Sequence, residues 1–227
     1  MKQYILCIML GIFLLASCQK EERFAEESAT GFLSLTGITL QADIQTISSR
    51  AVDSELYVEI LQNEETYRLY EPGTVPDKIE LPAGTYQLRA YNAAFQMENP
   101  YEDLGNAVFY QEGTTFEVKA GEVTPLELKV PMINFGVTLR LPEEFAAYFG
   151  ENYAFTVTSD RSVELKEGET AYFPYNSDKV TFSYSLKATN ADGEESELEG
   201  GTRNEVVSGT IYTVSYEMET QSLNITE

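Results

Sequence analysis

A chain of 227 residues with 43% hydrophobic and 12% aromatic content is long and apolar enough for one large packed domain or two small ones. Fifteen Lys and Arg against 37 Asp and Glu leave a net charge of −22, which repels phosphate backbones and anionic membrane surfaces and argues against nucleic acid as a partner. Histidine is absent, and the two cysteines, Cys7 and Cys18, lie in or at the edge of the first segment. That removes His-based triads, His zinc ligands and a disulfide framework through the body of the fold.

In chain order, Lys2 comes first and stands alone before an apolar run from Tyr4 to Ala16. A positive start, a short apolar core and small residues at its end describe a secretory signal peptide. The run is too short for a membrane-spanning helix, which needs about 20 apolar residues.

Leu15-Ala16-Ser17-Cys18 resembles the bacterial lipobox. The resemblance implies that residues 1–17 are removed by cleavage between Ser17 and Cys18, and that Cys18 carries a diacylglyceryl group on sulfur with its new amine acylated. A thiol supplies the soft nucleophile for the thioether link. Each buried methylene contributes about 0.8 kcal/mol, so several chains anchor where one is marginal. Gln19-Lys20-Glu21-Glu22 resembles the lipoprotein export signal of Bacteroidota, a Lys followed by acidic residues just after the lipidated cysteine. That implies a lipid anchor in the outer membrane with the chain exposed at the cell surface. Residues 18–30 read as a polar tether.

From Gly31 onward the pattern is that of short strands. Phe32–Thr36 and Leu56–Ile60 are rich in β-branched and aromatic residues. Three stretches, Ile79–Ala90, Phe116–Val123 and Val163–Thr170, each place a glycine between apolar runs, where the backbone can take positive φ. Pro125–Val130 and Val137–Leu141 alternate apolar with polar residues, as half-buried antiparallel strands do. Pro142, Glu143 and Glu144 predict a helix start and Gly150 its end, with Phe145, Tyr148 and Phe149 on one apolar face. Strands resume over Tyr153–Val157, Thr181–Leu186 and Ile211–Met218, and the Gly- and Glu-rich stretch Asn190–Asn204 reads as a loop. The expected fold is all-β: two tandem antiparallel β-sandwiches, Ig- or transthyretin-like, over residues 31–131 and 132–227, with one short helix.

Between Gly31 and Tyr216 the chain resembles a family of Bacteroidota surface lipoproteins that carry a domain of unknown function, fimbrillin- and adhesin-like in style. The resemblance rests on Leu81–Tyr86 with Ala90, on Asn99-Pro100-Tyr101 with Gly105, on Phe116–Val123, and on Val137–Leu139 with Glu144-Phe145. Where the family often shows Pro-Tyr-Tyr/Phe-x-Gly, this chain has the longer and more acidic Pro100-Tyr101-Glu102-Asp103-Leu104-Gly105. The resemblance brings no catalytic residues and no cofactor. It implies adhesion or fimbria-like assembly, with other surface proteins as partners. In fimbrillin-type subunits an arginine-directed cut follows the first strand, which makes Arg50, in Ser49–Asp53, a candidate processing site; the alternative is an exposed loop with one arginine.

Other readings stay open beside this one. Asn190–Glu195 has hard oxygen ligands around Gly193 but lacks the spacing of a calcium loop, and with Asn99–Asp103 reads as a solvated acidic turn. Fifteen tyrosines, with Tyr91, Tyr101 and Tyr110 around one loop region, allow a glycan-binding accessory role in polysaccharide uptake, although the absence of Trp removes the best stacking surface and core packing is the preferred account of the tyrosines.

Overall fold

The structure, a computed structural model, describes residues 29–42, 45–48, 55–150, 152–176, 180–189, 193 and 195–227. Ser17, Cys18, Gln19, Lys20, Glu21, Glu22 and Arg50 lie outside the described residues, and so does most of Asn190–Glu195.

The first half of the chain contributes β1 (Thr30–Ala42), β2 (Gln45–Ser48), β3 (Leu56–Gln62), β4 (Glu65–Tyr70), β5 (Ile79–Pro82), β6 (Gly84–Asn92), β7 (Tyr110–Val118) and β8 (Val123–Pro131), with a 3₁₀ turn at Ala93–Gln96. One sheet runs β2-β1-β5 with β8 on the other side of β1, and the facing sheet runs β4-β3-β6-β7. The second half contributes β9 (Phe135–Arg140), α1 (Phe145–Phe149), β10 (Tyr153–Thr158), β11 (Ser162–Leu165), β12 (Thr170–Phe173), β13 (Phe182–Thr189), β14 (Glu195–Arg203), β15 (Ile211–Glu217) and β16 (Ser222–Thr226). Its sheets run β12-β9-β15-β16 and β11-β10-β13-β14. The protein is therefore an all-β sandwich fold with one short α-helix among the described residues.

Laid side by side, the halves repeat one strand order. β1, β3, β4, β5, β6, β7 and β8 correspond to β9, β10, β11, β12, β13, β14 and β15. The expected antiparallel pairing needs one amendment in each half, because β1 pairs with β8 and β9 with β15 in parallel. In each half the two strands of the parallel pair are joined through strands of the facing sheet, the long crossover that a parallel pair requires.

Two separate clusters of buried side chains lie between these sheets. One gathers Leu33, Leu56, Val58, Ile60, Leu81 and Leu88 with Tyr86 and Phe116. The other gathers Phe135, Phe155, Phe173, Phe182 and Tyr212 with Val137 and Leu186. Alternation places them: Leu56, Val58 and Ile60 point inward from β3 while Glu59 pairs across the outer face.

The three glycine stretches are not hairpins. Each sits where the chain leaves one sheet for the other: β5 to β6, β7 to β8, and β11 to β12. Gly121 (φ 73°) and Gly168 (φ 79°) supply the left-handed residue in two of them. Gly84 does not, and there Tyr86 Oη donates to Pro82 O at 2.9 Å across the bend.

Two further expectations change. The helix begins at Phe145, since Phe145 N–H reaches Pro142 O at 3.0 Å as a turn before the helix proper. Phe145 is buried and Phe149 packs on the core, but Tyr148 is 61% exposed. A single helical turn buries only the stripe facing the sheets, and Tyr148 lies about 60° around from Phe145. The second change is at Asn190–Asn204, where β14 occupies Glu195–Arg203 and pairs along β13. Its low strand propensity has a tertiary reason: a Cβ at Gly201 would stand 2.5 Å from Tyr184 Oη on the neighbouring strand.

Candidate functional site

Two regions concentrate polar side chains in ordered settings. The first is the outer face of the sheet β4-β3-β6-β7. Tyr57, Tyr91 and Tyr110 stand opposite one another in register on β3, β6 and β7. Tyr57 stacks on Tyr91 (centroids 5.5 Å), Phe95 of the 3₁₀ turn leans on Tyr91 (5.6 Å), and Phe95 stacks flat on Tyr110 (4.2 Å, 6° between planes). The result is a continuous four-ring stack of the kind that cross-strand aromatic pairs favour. Burial raises the hydroxyl pKa of Tyr91 and Tyr110 above the usual tyrosine value, with Glu59 adding to it at Tyr91 and Glu112 at Tyr110.

One row along the same face runs a charged network. Arg89 Nη1 donates to Glu59 Oε2 at 3.2 Å, and Thr66 Oγ1 donates to the other oxygen of Glu59 at 2.5 Å. Arg89 Nη2 stands 4.0 Å from Glu112 Oε1, an ion pair without a hydrogen bond, while Tyr110 Oη donates to Glu112 Oε2 at 3.0 Å. Glu59 is 9% exposed. A buried carboxylate on a sheet face persists because both of its oxygens are met. Beyond this row lies a depression of about 350 Å³ lined by Leu61, Glu64, Gln87, Arg89, Glu112 and Gly113.

The second region is the junction between the two halves. Asn134, fully buried, accepts from Val108 N–H through Oδ1 (3.0 Å) and donates through Nδ2 to Asn106 O (2.8 Å). Ile133 N–H donates to Val108 O, and Phe109 bridges Met132. Asn99, Glu102 and Asp103 are exposed, as a solvated acidic turn should be, whereas the next residue, Leu104, packs on the second core and its carbonyl accepts from Tyr172 N–H at 2.7 Å. Arg161 closes the joint. Its Nη2 donates to Asp103 O (3.2 Å) and Tyr172 O (3.0 Å), and its guanidinium lies over the rings of Phe173 (4.7 Å) and Tyr101 (5.9 Å). Burial raises the Tyr101 hydroxyl pKa, with the Asp160 carboxylate adding to it.

A larger cavity of about 670 Å³ lies beside α1, bordered by Leu141, Phe145, Tyr153 and Lys166. Lys166 is already committed there, donating to Tyr153 O and Glu164 Oε1 and lying over the Tyr153 ring. Among the described residues no group of three or more His, Cys, Asp or Glu could hold a metal ion, and no helix is long and apolar enough to cross a membrane.

Of the tyrosines singled out from the sequence, Tyr91 and Tyr110 share the ring stack while Tyr101 belongs to the junction. Arg89, Glu59, Asn134 and Arg161 had no sequence signal. Most of their hydrogen-bond partners are 26 to 58 residues away along the chain, with Tyr172 at 11 and Thr66 at 7.

The model of one family, the domain of unknown function DUF4493, matches residues 29–226. The chain belongs to that family. Among curated proteins none matches this DUF4493 chain. Solved structures similar to it include a candidate cell adhesion protein from Bacteroides uniformis, at 8% identity and TM-score 0.49, with 89% of this chain and 96% of that one covered. A fimbrial assembly protein from Parabacteroides distasonis matches at 8% identity and TM-score 0.45, covering 87% of this chain and 98% of that one. A candidate polysaccharide-binding protein (DUF1812) from Bacteroides thetaiotaomicron matches at 10% identity and TM-score 0.44, with coverage of 87% and 98%. At such identities no residue role transfers.

Proposed function

We propose that this DUF4493 chain is a lipid-anchored, non-enzymatic cell-surface protein serving adhesion or fimbria-like assembly, held in the outer membrane through Cys18. The observation that carries the reading is Leu15-Ala16-Ser17-Cys18-Gln19-Lys20-Glu21-Glu22 at the head of a chain whose remaining length supplies two sandwich cores. Acyl chains on one cysteine hold the anchor, because hydrophobic transfer grows with each buried methylene. A net charge of −22 keeps the body off an anionic surface and in solvent. The two cores support a division into domains over residues 31–131 and 132–227.

Mass spectrometry of the mature protein tests the anchor. Residue 18 as an acylated N-terminus is the expected result, and Cys18→Ala should move the chain from the membrane to the soluble fraction. An unmodified mature N-terminus removes the reading. Protease treatment of whole cells tests display, with full protection pointing to the periplasmic face.

A second reading, a glycan-binding accessory protein, is favoured by one feature: the ring stack and its neighbouring charged network form a built polar surface on the outer face of the first sandwich.

A further inference from the structure

We infer that the depression between Leu61 and Gly113 on the outer face of β3, β6 and β7 is a binding site for an uncharged glycan; the inference rests on the second reading above. Its lining is mostly polar and mixes hydrogen-bond donors with acceptors beside the buried Leu61. Arg89 Nη2, too far from Glu112 for a hydrogen bond at 4.0 Å, keeps its donors for a ligand, and the Gln87 amide both donates and accepts. Glu112 and Glu64 accept. A vicinal diol needs this mixture, since each hydroxyl donates once and accepts up to twice.

Charge selects the class. Glu59 and Glu112 both face the one guanidinium, and Glu64 adds a third carboxylate, so the rim is net negative and repels phosphorylated, sulfated or sialylated ligands. A volume near 350 Å³ lies at the lower end of small-ligand sites and suits one or two pyranose rings. Glu59, Glu112 and Tyr110 are held before any ligand arrives. Glu59 is fixed by Arg89 and Thr66, Glu112 by Tyr110, and Tyr110 by Phe95. Such preorganisation lowers the ordering entropy lost on binding.

The test titrates the detergent-solubilised full chain with neutral gluco-, galacto- and manno-oligosaccharides, a sialylated oligosaccharide and an oligolysine peptide. Saturable binding of a neutral oligosaccharide is expected, weakened at least about tenfold by Gln87→Ala and by Glu112→Gln, with melting temperature unchanged and with Lys187→Ala, on the other sandwich, as a silent control. Neutral-glycan binding that both variants leave intact overturns the site while keeping the glycan reading. Binding of none of the glycan probes, or a preference for oligolysine, overturns both; a preference for the sialylated probe overturns the uncharged class while keeping the glycan reading. None of these outcomes bears on the anchor at Cys18, which is read by mass spectrometry.

Discussion

The two sandwiches use one strand order and fill it differently. The first core is largely aliphatic, built on Leu33, Leu56, Val58, Ile60, Leu81 and Leu88. The second is built on rings: Phe135 meets Phe173 at 5.5 Å, Phe182 at 5.9 Å and Tyr212 at 6.4 Å, and Phe145 meets Tyr216 edge-on. The same topology survives both fillings because alternation and the places where the chain changes sheets define it, whereas particular side chains only have to fill the volume between sheets. The open edges differ as well. β15 carries β16 along its outer side, while β8 has no strand there among the described residues. β8 instead contains Pro125 and Pro131, which offer no N–H, and the charges Glu127 and Lys129, all of which discourage pairing with another chain.

The comparison can be broken from its centre outward. Phe135→Ala empties the ring cluster and should cost about 3–5 kcal/mol, the range for a buried Phe, read as loss of the second half's structure in urea while the first half's hydrogen exchange stays protected. Equal loss of protection in both halves would show one cooperative unit in place of two cores. Asn134→Ala at the junction removes the partner of the buried Val108 N–H and of the Asn106 carbonyl and should cost about 2–3 kcal/mol. In the same variant the unfolding transitions of the two halves should separate; a single unchanged transition means the coupling lies elsewhere.

Arg161→Ala removes two hydrogen bonds and two ring contacts, for an expected loss of about 1–2 kcal/mol, and Arg161→Lys should recover only part of it because a point charge cannot serve both carbonyls and lie flat on Phe173. Full recovery by lysine would reduce the residue to its charge. Alkaline titration should loosen the first sandwich's outer face and the junction. Burial holds the hydroxyl pKa values of Tyr91, Tyr110, Tyr101 and Tyr172 above the unfolded value, so their contribution is complete below about pH 10 and is lost as pH rises through the raised values. A stability profile that climbs above pH 10 contradicts that sign. Tyr148→Ser, on the solvent side of α1, should change stability by less than about 0.5 kcal/mol. A larger loss would mean that Tyr148 is covered in the working assembly.

How much was readable along the chain depended on the range of the interaction. The inward alternation of β3, β9 and β10 was visible in Leu56–Ile60, Val137–Leu141 and Tyr153–Val157 because period-two burial is a local pattern. β4, with every side chain exposed or half-buried, and β14, rich in Gly and Glu, were invisible because cross-strand pairing holds them rather than apolar content. That Leu104, just after the acidic turn, is tied to the second half was not legible, because its partner Tyr172 lies far along the chain.

The order of residues by itself determined the all-β class and the inward face of most strands, since each depends on neighbours a few positions apart. Tertiary structure alone decided that two strands run parallel to their neighbours, that the glycine stretches carry the chain between sheets, and that Asn134 and Arg161 close the junction. It alone set Tyr57, Tyr91, Phe95 and Tyr110 in one stack beside Arg89. Those features arise from groups that meet only after sheets pair, and pairing depends on long-range complementarity that no local stretch encodes.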